Sequence, residues 1–404
     1  MIEPNEHELE IINSPYFQRL RYIRQLGTSY LVYHGAEHTR FGHSLGVMHL
    51  VSKAMDILSN KQPTKMPDDE FDRLKQIIRI VALLHDIGHA PFSHVGEGAG
   101  VFPELEDYDG EVGVGHEIYS RLIVKEHFKD IIESNFIHIN LKIEEILTFM
   151  KGNVTNPKYS FAKDLISSQL DMDRMDYLLR DSHYCGVKYG VYDLSRLLDT
   201  LTICEPQRGI WQLGVESDGV QAVEEFVFAR YWMFIQVYFH KTRRIFDYYL
   251  VNFLKDYLHA GQYPKNISEY TDFNDNLILE KIKQSTNVWA KNLYFRKSMK
   301  EAFLSTPHQS NEETKVNFSE YHKLGWIDEE FRKAFPVGTE PENYYIDQAK
   351  TSSAKNHIEI NTVLDEEIDE IKLYAIPVKD KHTNLVEPIQ KYSLPIKDSS
   401  AETP

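Results

Sequence analysis

HDIGHAPFSH, at residues 85–94, directly follows the apolar run IIRIVALL at 77–84. The pattern predicts a helix over 71–87, buried on its apolar face and stopped by Gly88 and Pro91. Neighbouring residues on a helix stand about 100° apart, so His85 and Asp86 can lean on one ion from the same edge. His89, four residues after His85, shares its face. A lone pair of histidines at this spacing could equally cap a helix or hold a structural zinc. The flanking HAPFSH makes the string far more specific.

Two further strings complete a set of ligands. HTRFGHS (38–44) puts Arg40 and His43 three apart, on one face if the segment is helical. Alone, such a pair usually shares a solvated face, and it gains weight only beside HDIGH. In DMDRMDYLLRD (171–181), Asp173, Tyr177 and Asp181 recur at i, i+4 and i+8 and line one helix face. Asp176 and Arg180 form an i,i+4 pair on another face, which needs no role beyond helix support. Asp171 and Arg174 lie near the helix start, and the Tyr-Leu-Leu centre should pack inward. His43, His85, Asp86 and Asp173 together offer two imidazoles and two carboxylates. That set neutralises a divalent cation yet leaves positions for water and a phosphate oxygen. Mixed nitrogen and oxygen ligation suits Mg, Mn, Fe or Zn.

The most apolar long stretch is FVFARYWMFIQVYF (226–239), interrupted by Arg230 and Gln236 and too short to span a bilayer. It reads as a buried helix. Continued to 241, it would carry Arg230, Phe234, Tyr238 and Lys241 on one face. A buried Arg and Lys need anionic partners, either structural carboxylates or a ligand such as a triphosphate. His94 and the His116-Glu117 pair are candidate proton carriers, because imidazole titrates near neutrality.

The 404 residues are 42% hydrophobic and carry a net charge of −16. A large core is affordable, and bulk binding to nucleic acid or an acidic membrane is not expected. A small anionic substrate stays open, since a metal ion with a few Arg and Lys can reverse the potential inside one pocket. Two cysteines imply no disulfide framework and fit a reducing cytoplasm, and MIEPNEHELE has no signal-peptide pattern. Helical texture runs over 9–26 (interrupted at Asn13-Ser14-Pro15), 43–59, 116–133, 141–151, 161–181 and 221–258. A loop is expected at 96–115 and a small hairpin around 201–220. Beyond about residue 260 the motifs stop; HIEI and KLYAIPV suggest strands, and KDSSAETP a disordered tail. The expected fold is mainly α: a helical core over 1–260 with a small β-hairpin, then a mixed α/β lobe over 261–404.

PYFQRLRYIRQLG (15–27), HTRFGHSLG, HDIGHAPFSH and DMDRMDYLLRD, in that order, closely resemble one branch of the HD phosphohydrolase superfamily. That branch is the deoxynucleoside triphosphate triphosphohydrolases. The resemblance covers roughly 11–245 and implies a helical HD core that splits a dNTP into deoxynucleoside and triphosphate. It implies His43, His85, Asp86 and Asp173 as metal ligands, and Arg40, His89, His94, Arg174, Arg230 and Lys241 around the triphosphate. His94 matches the family's general acid and His116 another active-site histidine. Gln25, Leu26, Tyr177, Asp181 and Tyr238 match residues around the deoxyribose, and Asp171 joins the substrate-binding set. Arg174 stands where a vertebrate member of that branch, which joins a SAM to the HD domain, has Lys, Phe239 where it has Gln and Phe234 where it has His. The resemblance also implies a homo-oligomer, with a tetramer favoured. Gln18 and Arg21 match positions that read an activating nucleotide, but Asn13 replaces an Asp there, so weak or absent activation by GTP is expected. Two rivals share the motifs: an HD phosphohydrolase acting on another nucleotide or a nucleic-acid end, and a non-catalytic nucleotide sensor.

Overall fold

A computed structural model describes residues 2–98 and 100–299, and beyond them four short strands. The chain divides into two compact units, one of residues 1–297 and 374–391, the other of 298–373 and 392–404. The first is mainly helical, as expected. At its centre the helices Arg40–Leu58 and Asp68–Leu84 pack together. Asp68, Asp69 and Glu70 in the first turn of the latter complement its dipole. Phe71, Leu74, Ile77, Ile78, Val81 and Leu84 form its buried stripe.

This helix ends at Leu84, earlier than the expected 87, with His85 at its C-cap. Asp86 to His89 therefore lie in the turn that follows. Gly88 explains the stop. A Cβ there would lie 2.2 Å from the backbone nitrogen of Ser120, so the turn backs directly onto the helix His116–His127. Ser120 Oγ accepts from Gly88 N at 2.9 Å and donates to His85 O at 2.8 Å, replacing helical hydrogen bonds.

The helix Met172–Cys185 starts on the Asp171 cap and ends at Gly186. It packs against Arg40–Leu58 at close range: a Cβ on Gly46 would lie 1.9 Å from Asp176 Oδ1. The 116–133 region divides into His116–His127 and Lys129–Asn135, and 161–181 into Ser160–Asp164 and Met172–Cys185. The predicted interruption near Asn13 is present, with Ser14 capping Pro15–Gln18 after the helix Glu6–Asn13.

The hairpin forms from Leu201–Gln207 and Ile210–Glu216, antiparallel. Pro377–Lys379 joins it parallel to the second strand, and Val386–Pro388 follows antiparallel, giving a four-stranded sheet. The loop at 96–115 contains a two-residue ladder, Leu105–Glu106 against Val112–Gly113. In the second unit, Glu370–Ile371 pairs with Leu394–Pro395. HIEI and KDSSAETP lie outside the described residues.

The segment 226–241 is not one buried helix. An α-helix runs Val220–Met233, a π turn takes over at Phe234–Tyr238, and Lys241 opens a new helix, Lys241–Tyr257. Phe239 N donates to Phe234 O at 2.8 Å, the i to i+5 bond of a π turn. Phe228, Trp232 and Ile235 are 38–44% exposed, so one face meets solvent. An apolar run of this length carries no periodicity that could reveal either feature. Among the described residues, no helix is long and apolar enough to cross a membrane.

Candidate active site

His43, His85, Asp86 and Asp173 converge from three elements. His43 Nε2 lies 2.9 Å from Asp173 Oδ1 and 3.4 Å from Asp86 Oδ2. His85 Nε2 lies 3.4 Å from Asp86 Oδ1 and 3.9 Å from Asp173 Oδ1. Both Nε2 atoms are buried and make no well-directed hydrogen bond among the described residues. Their other nitrogens are engaged, His85 Nδ1 with Ala82 O at 2.8 Å and His43 Nδ1 with Asp176 Oδ2 at 2.7 Å. Outer partners of this kind fix the ring so that Nε2 faces a metal. Against the opposing effect of burial, the neighbouring carboxylates of Asp173 and Asp176 push His43 up to about 10. Also against burial, His43 holds Asp173 down to about 2. The cluster is thus built to hold positive charge, and its donor set fits one divalent ion.

Asp176 does more than support its helix. Arg180 grips it at 2.7 and 2.8 Å, as the i,i+4 spacing predicts, while the same carboxylate aims His43. Arg40 is buried, with its Nη1 donating to Asp86 and its Nε to Ser93 Oγ at 2.8 Å. Despite burial, Arg40 and the neighbouring histidines keep Asp86 well below the usual carboxylate range.

A second cluster adjoins the first. His89 Nε2 lies 3.2 Å from Asp86 Oδ1, and the His89 ring stacks on His116 at 3.7 Å. Glu97 joins three histidines: Oε1 meets His89 Nδ1, and Oε2 lies 2.9 Å from His116 Nδ1 and 3.3 Å from His94 Nδ1. Burial, Arg40 and His116 push His89 down to about 4. Glu97 raises His116 against burial, and the three histidines hold Glu97 well below its ordinary value. The His94 side chain is 68% exposed, the most open of the group. The donor atoms of His89, His94, Glu97 and His116 lie within 4.8 Å of one another and could also hold a cation. Sequence reasoning passed over Glu97. Its only signal was its place as the first acid after HAPFSH, three residues beyond His94.

Next to Asp173 stands Arg174, whose guanidinium touches Asp171 and Ser168 O. Asp171 is mainly a cap: it accepts from Arg174 N at 2.8 Å and Ser168 N at 3.0 Å. Burial pushes it up to about 6, opposed by Arg174 and reinforced by Asp173. Arg230 Nη1 meets Gln169 Oε1 at 3.0 Å, and its guanidinium lies 5.7 Å from the Phe234 ring centre. Burial depresses its pKa; the charges of Tyr177 and Asp171 oppose that effect, and that of Arg174 adds to it.

Further along the same helix, Tyr177 meets Tyr238 edge to face at 6.2 Å. The Tyr238 hydroxyl is committed, donating to Asp181 Oδ2 at 2.7 Å. Asp181 Oδ1 lies 2.8 Å from His38 Nε2. Gln25 N donates to His38 O at 3.0 Å, and the buried Gln25 Oε1 has no hydrogen-bond partner among the described residues. Leu26, half-buried, follows at the cap of the next turn. Lys241 is exposed at the first position of its helix. Elsewhere, Arg21 Nε donates to Gln18 Oε1 at 2.7 Å and its guanidinium lies 3.4 Å from the Phe41 ring centre.

With this geometry in view, the comparisons with known proteins are decisive. A family model described as HD domain matches residues 40–181, and one described as HD associated region matches 192–372. The chain belongs to the HD-domain family. An uncharacterized protein of Methanocaldococcus jannaschii is 39% identical to this HD chain over 247 residues, 60% of the chain and 45% of that protein. The uncharacterized protein YwfO of Bacillus subtilis is 37% identical over 248 residues, 61% of the chain and 51% of YwfO. The human deoxynucleoside triphosphate triphosphohydrolase SAMHD1 is 32% identical over 310 residues, 67% of the chain and 47% of that enzyme. The HD chain thus spans about half the length of these curated relatives. A crystal structure of a hypothetical protein from Aquifex aeolicus matches with a TM-score of 0.64 and 30% identity, covering 83% of the chain and 80% of that protein.

Proposed function

We propose that this HD protein hydrolyses deoxynucleoside triphosphates to deoxynucleoside and inorganic triphosphate. One observation carries the reading: successive turns of the helix Met172–Cys185 bear the candidate metal ligand Asp173, the half-buried Arg174, Tyr177 and Asp181. One rigid element therefore joins a phosphate end to a sugar end. The charge of Arg174 is felt at Arg230, and both guanidiniums are felt at Tyr177. Two like charges within reach of each other favour an anionic ligand. The similarity to the triphosphohydrolases supports the same class of substrate.

A divalent ion held by His43, His85, Asp86 and Asp173 would polarise the α-phosphate and lower the pKa of an attacking water. The chain's own groups do the rest. Arg174 and Arg230 balance charge on the departing triphosphate. As water adds at the α-phosphorus and its bond to the 5′-oxygen breaks, His94 gives that oxygen a proton. Glu97, shared by three histidines, orients the His94 ring from its Nδ1 side. Tyr177, packed edge to face against Tyr238, closes the space beside the sugar where a ribose 2′-hydroxyl would sit.

The same reading includes a homo-oligomer with a tetramer favoured, a cytoplasmic location and at most weak activation by GTP. A metal-reconstituted assay over the four dNTPs and the NTPs, with product identification, tests the central claim. Inorganic triphosphate is the expected product. Release of pyrophosphate or orthophosphate alone would assign a different phosphohydrolase reaction, and no turnover would favour a sensor.

A further inference from the structure

The turn that carries His94 is held by a residue from outside the HD-domain match. Phe92 and Ser93, consecutive and both non-glycine, have φ of 61° and 55°. Side-chain-bearing residues rarely adopt the left-handed region, so two in a row require outside support. Part of it is local: Ser93 N donates to Ala90 O at 2.9 Å, and Arg40 Nε to Ser93 Oγ at 2.8 Å. The rest comes from Asp275, the first residue of the helix Asp275–Gln284, which is 1% exposed. Its Oδ1 accepts from Phe92 N at 2.7 Å. Its Oδ2 accepts from Arg24 N at 3.0 Å and lies 3.4 Å from Arg24 Nη1.

Those two backbone groups belong to separate stretches of chain that both carry candidate site residues. Phe92 lies two residues before His94, and Arg24 directly before Gln25. The two stretches meet again where Ser93 Oγ donates to Arg24 O at 2.6 Å. The same stretch of chain braces the preceding turn as well. Tyr270 Oη donates to Gly88 O at 2.7 Å, and Arg19 joins His89 O at 3.0 Å to Phe273 O at 2.9 Å.

We propose that Asp275 is a positioning residue for the reaction: one carboxylate bridges the His94 turn and the turn at Arg24 and Gln25, setting the distance between the proton donor and the sugar end of the site. This rests on the proposed hydrolysis. The bridge needs two acceptor oxygens at once. Asparagine keeps the shape but only one acceptor, and its amide would point a donor at the Arg24 or the Phe92 amide. Loss of the bridge should displace His94 without touching His43, His85 or Asp173.

The test compares wild type, Asp275→Asn and Asp275→Ala in the full-length protein by three measurements: metal bound per chain, kcat and KM for triphosphate release, and hydrogen–deuterium exchange. Metal content should stay at the wild-type level. For Asp275→Ala, kcat should fall about 10- to 100-fold with KM within about threefold, since small misplacements of a reacting group cost rate rather than affinity. Asp275→Asn should lie between Asp275→Ala and wild type. Exchange should rise in the peptide spanning 90–97 and not in that spanning 77–84. Wild-type kcat in both variants, or unchanged exchange at 90–97, would overturn the inference. So would a loss of kcat that merely tracks lost metal or folded protein. Should Asp275→Ala not fold, Asp275→Asn supplies the same comparison. If wild type releases no triphosphate from any dNTP, the proposed reaction and the positioning role in it fall together. The exchange data would still decide whether the bridge exists.

Discussion

His43 Nδ1 lies 2.7 Å from Asp176 Oδ2, and Arg180 grips both oxygens of that carboxylate, its Nε on the same Oδ2 and its Nη2 on Oδ1. Asp176 thus decides which nitrogen of His43 faces the ligand cluster. Asp176→Asn should weaken metal affinity by about 10- to 100-fold while leaving the helix intact, the usual consequence of losing an outer partner of a ligating histidine. Competitive titration with a chelator measures it, and unchanged affinity would reduce Asp176 to a helix-supporting role.

Asp86 links the two clusters, beside His43 and His85 in the first and through His89 to the second. Asp86→Ala should abolish bound metal and turnover with little change in helical circular dichroism. Full activity in rigorously metal-free wild type would sink the metal assignment itself.

If His94 protonates the leaving 5′-oxygen, His94→Ala should lower kcat by about 10²–10⁴-fold with a modest change in KM. Steady-state kinetics on the best dNTP decide this. A loss confined to KM would make His94 a substrate-positioning group instead.

If the proposed hydrolysis holds, Tyr177, in edge-to-face contact with Tyr238, selects the sugar. Tyr177→Ala should raise turnover of ribonucleotides relative to deoxyribonucleotides. The idea fails at once if wild type already uses ATP and GTP as well as their deoxy forms.

Burial pushes the Asp275 carboxyl up to about 6, against the Arg24 and Phe92 amides and the Arg24 side chain. A folded value above the unfolded one means that the group favours folding most at low pH. Its contribution is fully present below about pH 4 and is lost as pH rises through about 6. Relative to Asp275→Asn, which cannot ionise, wild type should lose melting temperature across that window and then level off. A pH-independent difference would mean that the carboxyl is not perturbed in this way.

The four metal-ligand candidates were legible because short strings announce them, and the structure gathers them at one place. What escaped depends on contacts far apart in sequence. His38 meets Asp181, and Asp275 meets Phe92, across separations of 143 and 183 residues, which no local spacing encodes. Asp176 was read only as Arg180's partner, since the i,i+4 pair fully accounts for it until the Gly46 approach brings His43 within reach. The π turn was invisible for another reason. An unbroken apolar run looks the same whether its carbonyls are answered four or five residues later, yet that offset sets where Tyr238 points.

The strand Ile210–Glu216 has one neighbour made just before it and another, Pro377–Lys379, that lies far downstream. Synthesis proceeds at about 5–20 residues per second, so the emerging hairpin waits on the order of ten seconds or more for its parallel partner. During that interval the Val215–Glu216 end of that edge, which the parallel strand later covers, offers unsatisfied amides and carbonyls to any passing extended chain. A ribosome that stalls, or a message cut short before residue 377, would leave that edge open permanently. The hazard of truncation in this protein is therefore aggregation through the hairpin, even though every residue of the candidate pocket would already have been translated.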